Sequence, residues 1–243
     1  MPHSFDLTAL YSREIRDLLL ADAILTLAFS LVLSGRALGP FLYFLPISFL
    51  AVTLTFVLHE LMHKFVAQRY GAIAAFRTFP NGLLITIVTA FLGILIGVPG
   101  ATVIYTSSFT NEQNGKVSLA GPLTNFAIFG VFLALGISLF PHFLTSIYST
   151  FNGAGFGANS YIQNAIIMVL YISLLLAFYN MLPIFPLDGS KVFKWNKGIY
   201  LMTMAAIFAL MAFILPFSFI VTYAVLILII AFVMSFVFRT IVL

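Results

Sequence analysis

Residues 41–70 read FLYFLPISFLAVTLTFVLHELMHKFVAQRY, a run that is apolar as far as residue 58 and mixed after it. About 20 mostly apolar residues suffice for a helix that crosses a bilayer, so this run is long enough to cross. His59 and His63 lie four residues apart, and helical positions i and i+4 share one face. The run therefore predicts a membrane-crossing helix that ends with two imidazoles on the same side. Tyr70-Gly71 is predicted to stop this helix, in the manner of a C-terminal glycine.

The order of His59, Glu60 and His63 has the form H-E-x-x-H, which is typical of a metal site on a helix. Two imidazoles at this spacing can bind one divalent ion, typically zinc. Glu60 can reach a water on that ion without being a ligand, and it would take the proton of that water as general base. A polar helix end at the lipid headgroups is the plainer alternative, but ionisable residues in membrane helices are rare and usually functional. Catalytic zinc normally has three protein ligands, so a third is expected elsewhere in the chain.

The composition predicts an integral membrane protein. Hydrophobic residues make up 62% of the 243 residues and charged residues only 7%, whereas soluble domains carry about 25% charged residues. The chain has no cysteine, which excludes disulfides and thiolate ligands. The net charge of +4 comes from few residues and indicates membrane orientation. The lipid bilayer is thus an expected partner, and nucleic acid is not.

The apolar segments predict an all-α integral membrane fold with six transmembrane helices in a single domain, residues 1–243. Asp22, near the start of the first helix, is expected at the water interface, and a buried functional role is the alternative. No internal repeat interrupts this pattern. The predicted spans are residues 18–33, 41–70, 116–140 and 161–182, with two more in 199–237 hinged near Pro216.

The segment after the second helix predicts a re-entrant or β-like hairpin. Residues 74–80 favour an extended conformation, and residues 101–107 are β-branched and strand-like. The apolar stretch between them, residues 82–97, is short for a comfortable span. We expect this segment to enter the membrane, return and line the site, and an additional full span is the alternative.

Basic residues favour the returning topology, because Lys and Arg concentrate in cytoplasmic loops. If the hairpin returns, every basic cluster lies on one side, whereas the loop at 141–160 has no Lys or Arg. We therefore expect both termini and the active site on the cytoplasmic side of the cell membrane. The clusters are Arg13 and Arg16, then Lys64, Arg69 and Arg77, then Lys191, Lys194 and Lys197, and finally Arg239.

Asp188 is the candidate for the third ligand. It ends the run NMLPIFPLD at residues 180–188, in which two prolines disrupt a helix and expose backbone groups. In the six-helix topology Asp188 lies on the same side as His63. A carboxylate beside two imidazoles makes the open three-ligand site of a hydrolase. An ordinary interfacial turn is the alternative, since Pro-Leu-Asp-Gly is common turn chemistry.

The pair of HELMH and NMLPIFPLDG resembles the site-2 protease family of intramembrane zinc metalloproteases. The family pattern is H-E-x-x-H followed by N-x-x-P-x-x-x-L-D-G, and every fixed position is present here. The run SLAGPLTN at residues 118–125 also resembles a segment common in the family. The resemblance covers residues 54–191. It implies that His59, His63 and Asp188 bind zinc, that Glu60 activates water, and that Asn180 helps to hold the substrate or the oxyanion.

The function that this resemblance implies is hydrolysis of peptide bonds within or near transmembrane segments of substrate proteins. The chain resembles a bare catalytic core, without a PDZ-like or CBS-like domain. A prenyl-protein-type protease would need a glutamate ligand, and Glu112, the only later glutamate, lies in a polar loop. A metal-ion transporter or a non-catalytic membrane partner is the alternative from another class, although a transporter should show internal symmetry. The sequence identifies neither the substrate nor the oligomeric state.

Overall fold

The computed structural model describes residues 7–105, 109–217, 221 and 225. Most of this part of the chain is helical, with one small antiparallel sheet. Its elements are α1 (Leu7–Leu33), α2 (Leu38–Val52), a π-helical segment (Thr53–Val57), α3 (Leu58–Arg69), β1 (Ala74–Thr78), α4 (Pro80–Phe91), β2 (Gly100–Ile104), α5 (Asn111–Leu139), α6 (Phe143–Ser149), α7 (Tyr161–Asn180), α8 (Asp188–Trp195) and α9 (Lys197–Ile214).

Helices α2 and α3 form one continuous helical segment, Leu38–Arg69, through the π-helical turn between them. The π-helical turn ends directly before the helix that carries both histidines, and such turns are often found at functional sites. Tyr70 caps the C-terminus, and Gly71 follows with a φ of +78°. A glycine in this left-handed conformation is the common way to end a helix, so the predicted stop is confirmed.

Four helices in the described residues are long and apolar enough to cross a membrane: Leu38–Arg69, Asn111–Leu139, Tyr161–Asn180 and Lys197–Ile214. They confirm the helical membrane class. Helix α1 contains the predicted first span but begins with charged turns. Helix α9 ends two residues before Pro216, near the predicted hinge, and the predicted sixth span lies outside the described residues. The count of six stays a prediction.

Helix α7 is the central helix of the bundle. In its most apolar 18-residue stretch 78% is buried, whereas the corresponding share in the other three candidate spans is 22–39%. It packs against α2, α5 and α9. Helix α5 in turn contacts α3 and α8. The two histidines and Asp188 therefore lie on helices that pack against a shared neighbour, α5.

The segment between α3 and α5 contains the predicted extended, helical and strand-like parts. Strands β1 and β2 pair antiparallel, with Ala74 opposite Ile104 and Thr78 opposite Gly100, so both ends of the intervening segment lie side by side. Helix α4 has 12 residues and is about 18 Å long, which is less than a bilayer core. This pairing agrees with a returning segment; its depth in the membrane stays a prediction.

The stretch after α4 has no regular secondary structure before β2, and α4 itself supplies hydrogen-bond acceptors for the backbone of this stretch. The hydroxyl oxygens of Thr89 and Thr86 accept the N–H groups of Ile96 (3.3 Å) and Val98 (3.2 Å). Irregular backbone at membrane depth is tolerated only where protein groups satisfy it. The two threonines thus explain how a non-helical segment can lie beside α4.

Three expectations need correction. Helix α5 begins at Asn111, not at residue 116, because Thr110 and Gln113 form a capping box that starts the helix in the polar loop. The loop at 141–160 contains helix α6, whose Phe143 is buried against Gly136. Asp22 is not at the water interface. It is 4% exposed.

The buried Asp22 joins α1 to the segment that precedes the histidines. Its Oδ2 accepts a hydrogen bond from the Thr53 hydroxyl at 2.9 Å, and Thr53 is the first residue of the π-helical turn. A buried carboxylate without a donor would be costly, so this bond compensates part of the desolvation.

Candidate metal centre

Three side chains from two distant segments meet at one point. The Nε2 atoms of His59 and His63 lie 3.0 Å apart, as the i, i+4 spacing predicts. The Oδ2 atom of Asp188 lies 3.1 Å from His63 Nε2 and 3.5 Å from His59 Nε2. All three side chains are at least 89% buried. The structure therefore brings together the three residues that the sequence predicts as ligands.

The spacing of these three atoms fits a small tetrahedral ion. Ligands at about 2.0–2.1 Å from zinc lie about 3.3 Å from one another at the corners of a tetrahedron, and the three separations here run from 3.0 to 3.5 Å. Two nitrogens and one carboxylate oxygen are also a donor set that zinc accepts. His59, Glu60 and His63 also form a buried group whose ligand atoms lie within 4.8 Å of one another.

Helix α5 leaves space for the ligand nitrogens at Gly121. A Cβ atom at this position would lie 2.5 Å from both Nε2 atoms and 2.6 Å from His59 Cε1. Any larger residue would therefore occupy the space in front of the imidazoles. This clash is the physical reason for the glycine in SLAGPLTN.

His63 is oriented by the backbone of α5. Its Nδ1 lies 2.7 Å from the carbonyl oxygen of Val117, so Nδ1 donates and the lone pair of Nε2 faces the site. Metal-binding histidines almost always have such a partner. The His59 Nδ1 atom is buried and has no partner among the described residues, and neither has the amide of Asn125, one turn after Gly121 on α5. Sequence reasoning did not single out Asn125.

Asp188 is the first residue of α8, and its position depends on the glycine that follows it. A Cβ at Gly189 would collide with the carbonyl groups of Met181 and Leu182, so only glycine allows α8 to start this close to the end of α7. Burial by itself raises the pKa of Asp188, but the neighbouring His63 and His59 outweigh it and hold the pKa well below its usual range. Asp188 is thus an ionised acceptor.

Glu60 faces strand β2 and is bound there by Thr102. Its Oε2 accepts the Thr102 N–H at 3.0 Å and the Thr102 hydroxyl at 2.9 Å. The same hydroxyl lies 3.1 Å from the Glu60 carbonyl oxygen. Sequence reasoning did not single out Thr102, because it lies 42 positions from Glu60 in a strand whose register only the fold defines.

Asn180 ends α7 and is half-buried near the start of the loop to Asp188. Its side-chain N–H donates to the Leu176 carbonyl at 3.0 Å, which accounts for one of its two donor hydrogens. The second hydrogen and the amide oxygen have no partner among the described residues. The role of Asn180 toward a substrate stays a prediction.

Apolar helices of membrane length, a buried donor set for one metal ion and an adjacent carboxylate define a membrane-embedded metallopeptidase. Comparison with known families agrees, since the model of Peptidase family M50 matches residues 47–222. The chain belongs to peptidase family M50. This membership confirms the predicted resemblance to the site-2 protease family and the predicted zinc metallopeptidase class, rather than a transporter or a non-catalytic partner.

A curated relative supports the same assignment. The chain is 39% identical over 189 residues to the protein of Methanocaldococcus jannaschii named "Putative zinc metalloprotease MJ0611". The match covers 77% of this chain and 87% of the relative. No solved structure matches the chain.

Proposed function

We propose that the protein cleaves peptide bonds within or near transmembrane segments of other membrane proteins. The observation that carries this proposal is the convergence of His59, His63 and Asp188 to within 3.5 Å of one another, with Glu60 beside them, on helices of a membrane bundle. The site lies on and beside helices of membrane length, so the peptide segments on which it would act are those that lie in the bilayer. The partners are then transmembrane protein substrates and the lipid bilayer.

Each residue of the site has a separate role in this proposal. His59, His63 and Asp188 hold zinc, which when bound polarises a carbonyl group and lowers the pKa of water. Glu60 takes the proton of the attacking water and later transfers it to the leaving amine. Asn180 donates its second amide hydrogen to the substrate or to the developing oxyanion, where such donors lower the barrier.

The substrate must unwind before it is cut. An intact helix binds its own carbonyl groups in hydrogen bonds, so a scissile carbonyl cannot reach the site from a regular helix. We therefore expect cleavage in transmembrane segments that contain Gly, Pro or Asn, which weaken a helix locally.

The finer topology is also part of the proposal. It consists of one membrane-embedded domain over residues 1–243, six crossings and a re-entrant hairpin at 82–105. Both termini and the site face the cytoplasmic side of the cell membrane. The distribution of Lys and Arg supports it, as does the pairing of β1 with β2, which places both ends of the intervening segment side by side.

The experiment compares wild type with Glu60→Gln, in detergent and in vesicles, on leucine-rich transmembrane peptides with or without a central Asn-Gly-Pro. Since a general base contributes about 10²–10⁴-fold, the variant should lose nearly all cleavage while it keeps its zinc. A chelator should abolish wild-type cleavage. Equal cleavage by both proteins, or cleavage that survives metal removal, contradicts the mechanism.

A further inference from the structure

The hairpin of β1 and β2 lies between two buried carboxylates. Phe76 and Thr102 are directly opposite each other in the ladder. At this pair the two N–H groups point away from the partner strand, as at every second position of an antiparallel pair. The Thr102 N–H goes to Glu60 on α3, and the Phe76 N–H goes to Glu14 on α1, each at 3.0 Å.

Glu14 is tied back to α3 by an ion pair. It is 3% exposed, and its Oε2 lies 2.5 Å from Nζ of Lys64, the residue directly after His63. Lys64 also lies over the ring of Tyr11, 4.3 Å from the ring centroid. This pair is costly to break at Lys64, because without the lysine Glu14 would be an unpaired buried charge.

These contacts form a closed ring through four elements. It runs from Glu60 on α3 to Thr102, across the ladder to Phe76, on to Glu14 of α1, and back to α3 at Lys64. The ring does not include the contacts that hold the ligands, since His63 is oriented by Val117 of α5 and Asp188 starts α8. The base and the ligands are thus positioned by different parts of the fold.

The two oxygens of Glu60 are used differently. Both Thr102 donors go to Oε2, and Oε1 has no donor within the described ranges. A carboxylate with one oxygen held and the other open has a defined direction in which it can accept a proton. This asymmetry suits a base that must meet a water at one place.

We propose that Thr102, and through the hairpin the Glu14–Lys64 ion pair, are positioning residues for the base Glu60. The inference rests on the proposed role of Glu60. It implies that moving the hairpin changes the rate of the chemical step, while metal binding continues unchanged. It also gives α1, which supplies none of the predicted site residues, a defined part in catalysis.

The first test changes Thr102. Thr102→Val keeps the shape and the backbone N–H but removes the hydroxyl, and Thr102→Ser restores it. With the Asn-Gly-Pro peptide in vesicles, we expect kcat of Thr102→Val to fall about 10-fold or more, without exceeding the loss in Glu60→Gln. KM and zinc per chain should stay within about twofold, and Thr102→Ser should recover most of kcat. The positioning role is overturned if kcat of Thr102→Val equals that of wild type. It is also overturned if kcat falls only in proportion to the zinc that the variant loses.

The second test changes the distant end of the ring and is independent of activity. Amide hydrogen exchange is measured at Phe76 and Thr102 in wild type, Glu14→Gln and Lys64→Met. If the hairpin transmits the contact, exchange at Thr102 should rise about 10-fold in both variants, although neither residue touches Thr102. If amide exchange becomes faster at Phe76 but stays unchanged at Thr102, the positioning role of the ion pair is refuted.

The matched control is the exposed ion pair of Glu112 and Lys116, at 2.6 Å on α5. Glu112→Gln and Lys116→Met should leave exchange at Thr102 and kcat unchanged. If wild type cleaves no peptide, the proposed function fails, and exchange in Glu60→Ala, which has no side-chain acceptor, still decides whether Glu60 protects the Thr102 amide. Unchanged exchange there overturns the ring itself.

Discussion

Replacing Gly121 with alanine should remove metal binding without removing the fold. The added Cβ would lie 2.5 Å from Nε2 of His59 and from Nε2 of His63, whereas ordinary contact begins near 3.4 Å. The two Nε2 atoms would have to move about 0.9 Å away from the new Cβ to reach ordinary contact. Metal sites tolerate only about ±0.2 Å in their ligand distances. The two imidazoles would therefore leave the geometry that the ion needs.

The expected loss of affinity is large. Removal of a partner behind a ligand typically costs about 10–100-fold in metal affinity, and displacing two ligands directly should cost at least the upper value. A 100-fold loss corresponds to about 2.7 kcal/mol of binding free energy. Alanine is favoured over glycine within a helix by about 1 kcal/mol, so the free energy of unfolding of the metal-free protein should not collapse.

The assay titrates metal-free protein with zinc against a chromophoric chelator. Gly130→Ala is the matched control, because it lies on the same helix and a Cβ there meets nothing within 4 Å. It should bind zinc as wild type does. The reasoning is refuted if Gly121→Ala binds zinc with wild-type affinity, or if Gly130→Ala loses as much.

Three further predictions concern the ligands, the orientation and the substrate contact. His63→Ala should lose stoichiometric zinc in elemental analysis of purified protein, and full retention would remove His63 from the ligand set. Because the chain has no cysteine, a thiol reagent can label the single substitutions Lys194→Cys and Asn152→Cys selectively. We expect a reagent applied from outside to react only with Asn152→Cys. Reaction only with Lys194→Cys would show that the predicted topology is inverted. Asn180→Leu should lower kcat/KM about 10²–10³-fold, as loss of an oxyanion donor does, with zinc content unchanged. Wild-type kcat/KM would exclude that role.

Local patterns in the chain were sufficient to predict much of the site. The apolar run before His59 specifies a helix of membrane length, and a helix of fixed period places His63 on the same face. The stop at Gly71 follows from backbone sterics alone. Each of these conclusions depends on residues within a few turns of one another, and that is why periodicity can reveal them.

Other local signals were present but misjudged. The predicted start of α5, residue 116, is too late because the capping box at Thr110 and Gln113 lies in a polar stretch. Asp22 resembled an interfacial residue because its partner, Thr53, is 31 positions away. Hydropathy does not show whether a carboxylate near a helix end meets water or another helix.

The amino-acid sequence by itself determined the membrane class and was sufficient to predict His59, His63 and Asp188 as the candidate ligands. Only the tertiary structure decided that Thr102 holds Glu60 and that Gly121 makes space for the imidazoles. The physical reason is that these contacts depend on strand register and on the distance between packed helices. Both are set by the whole core at once, so no short stretch of residues encodes them.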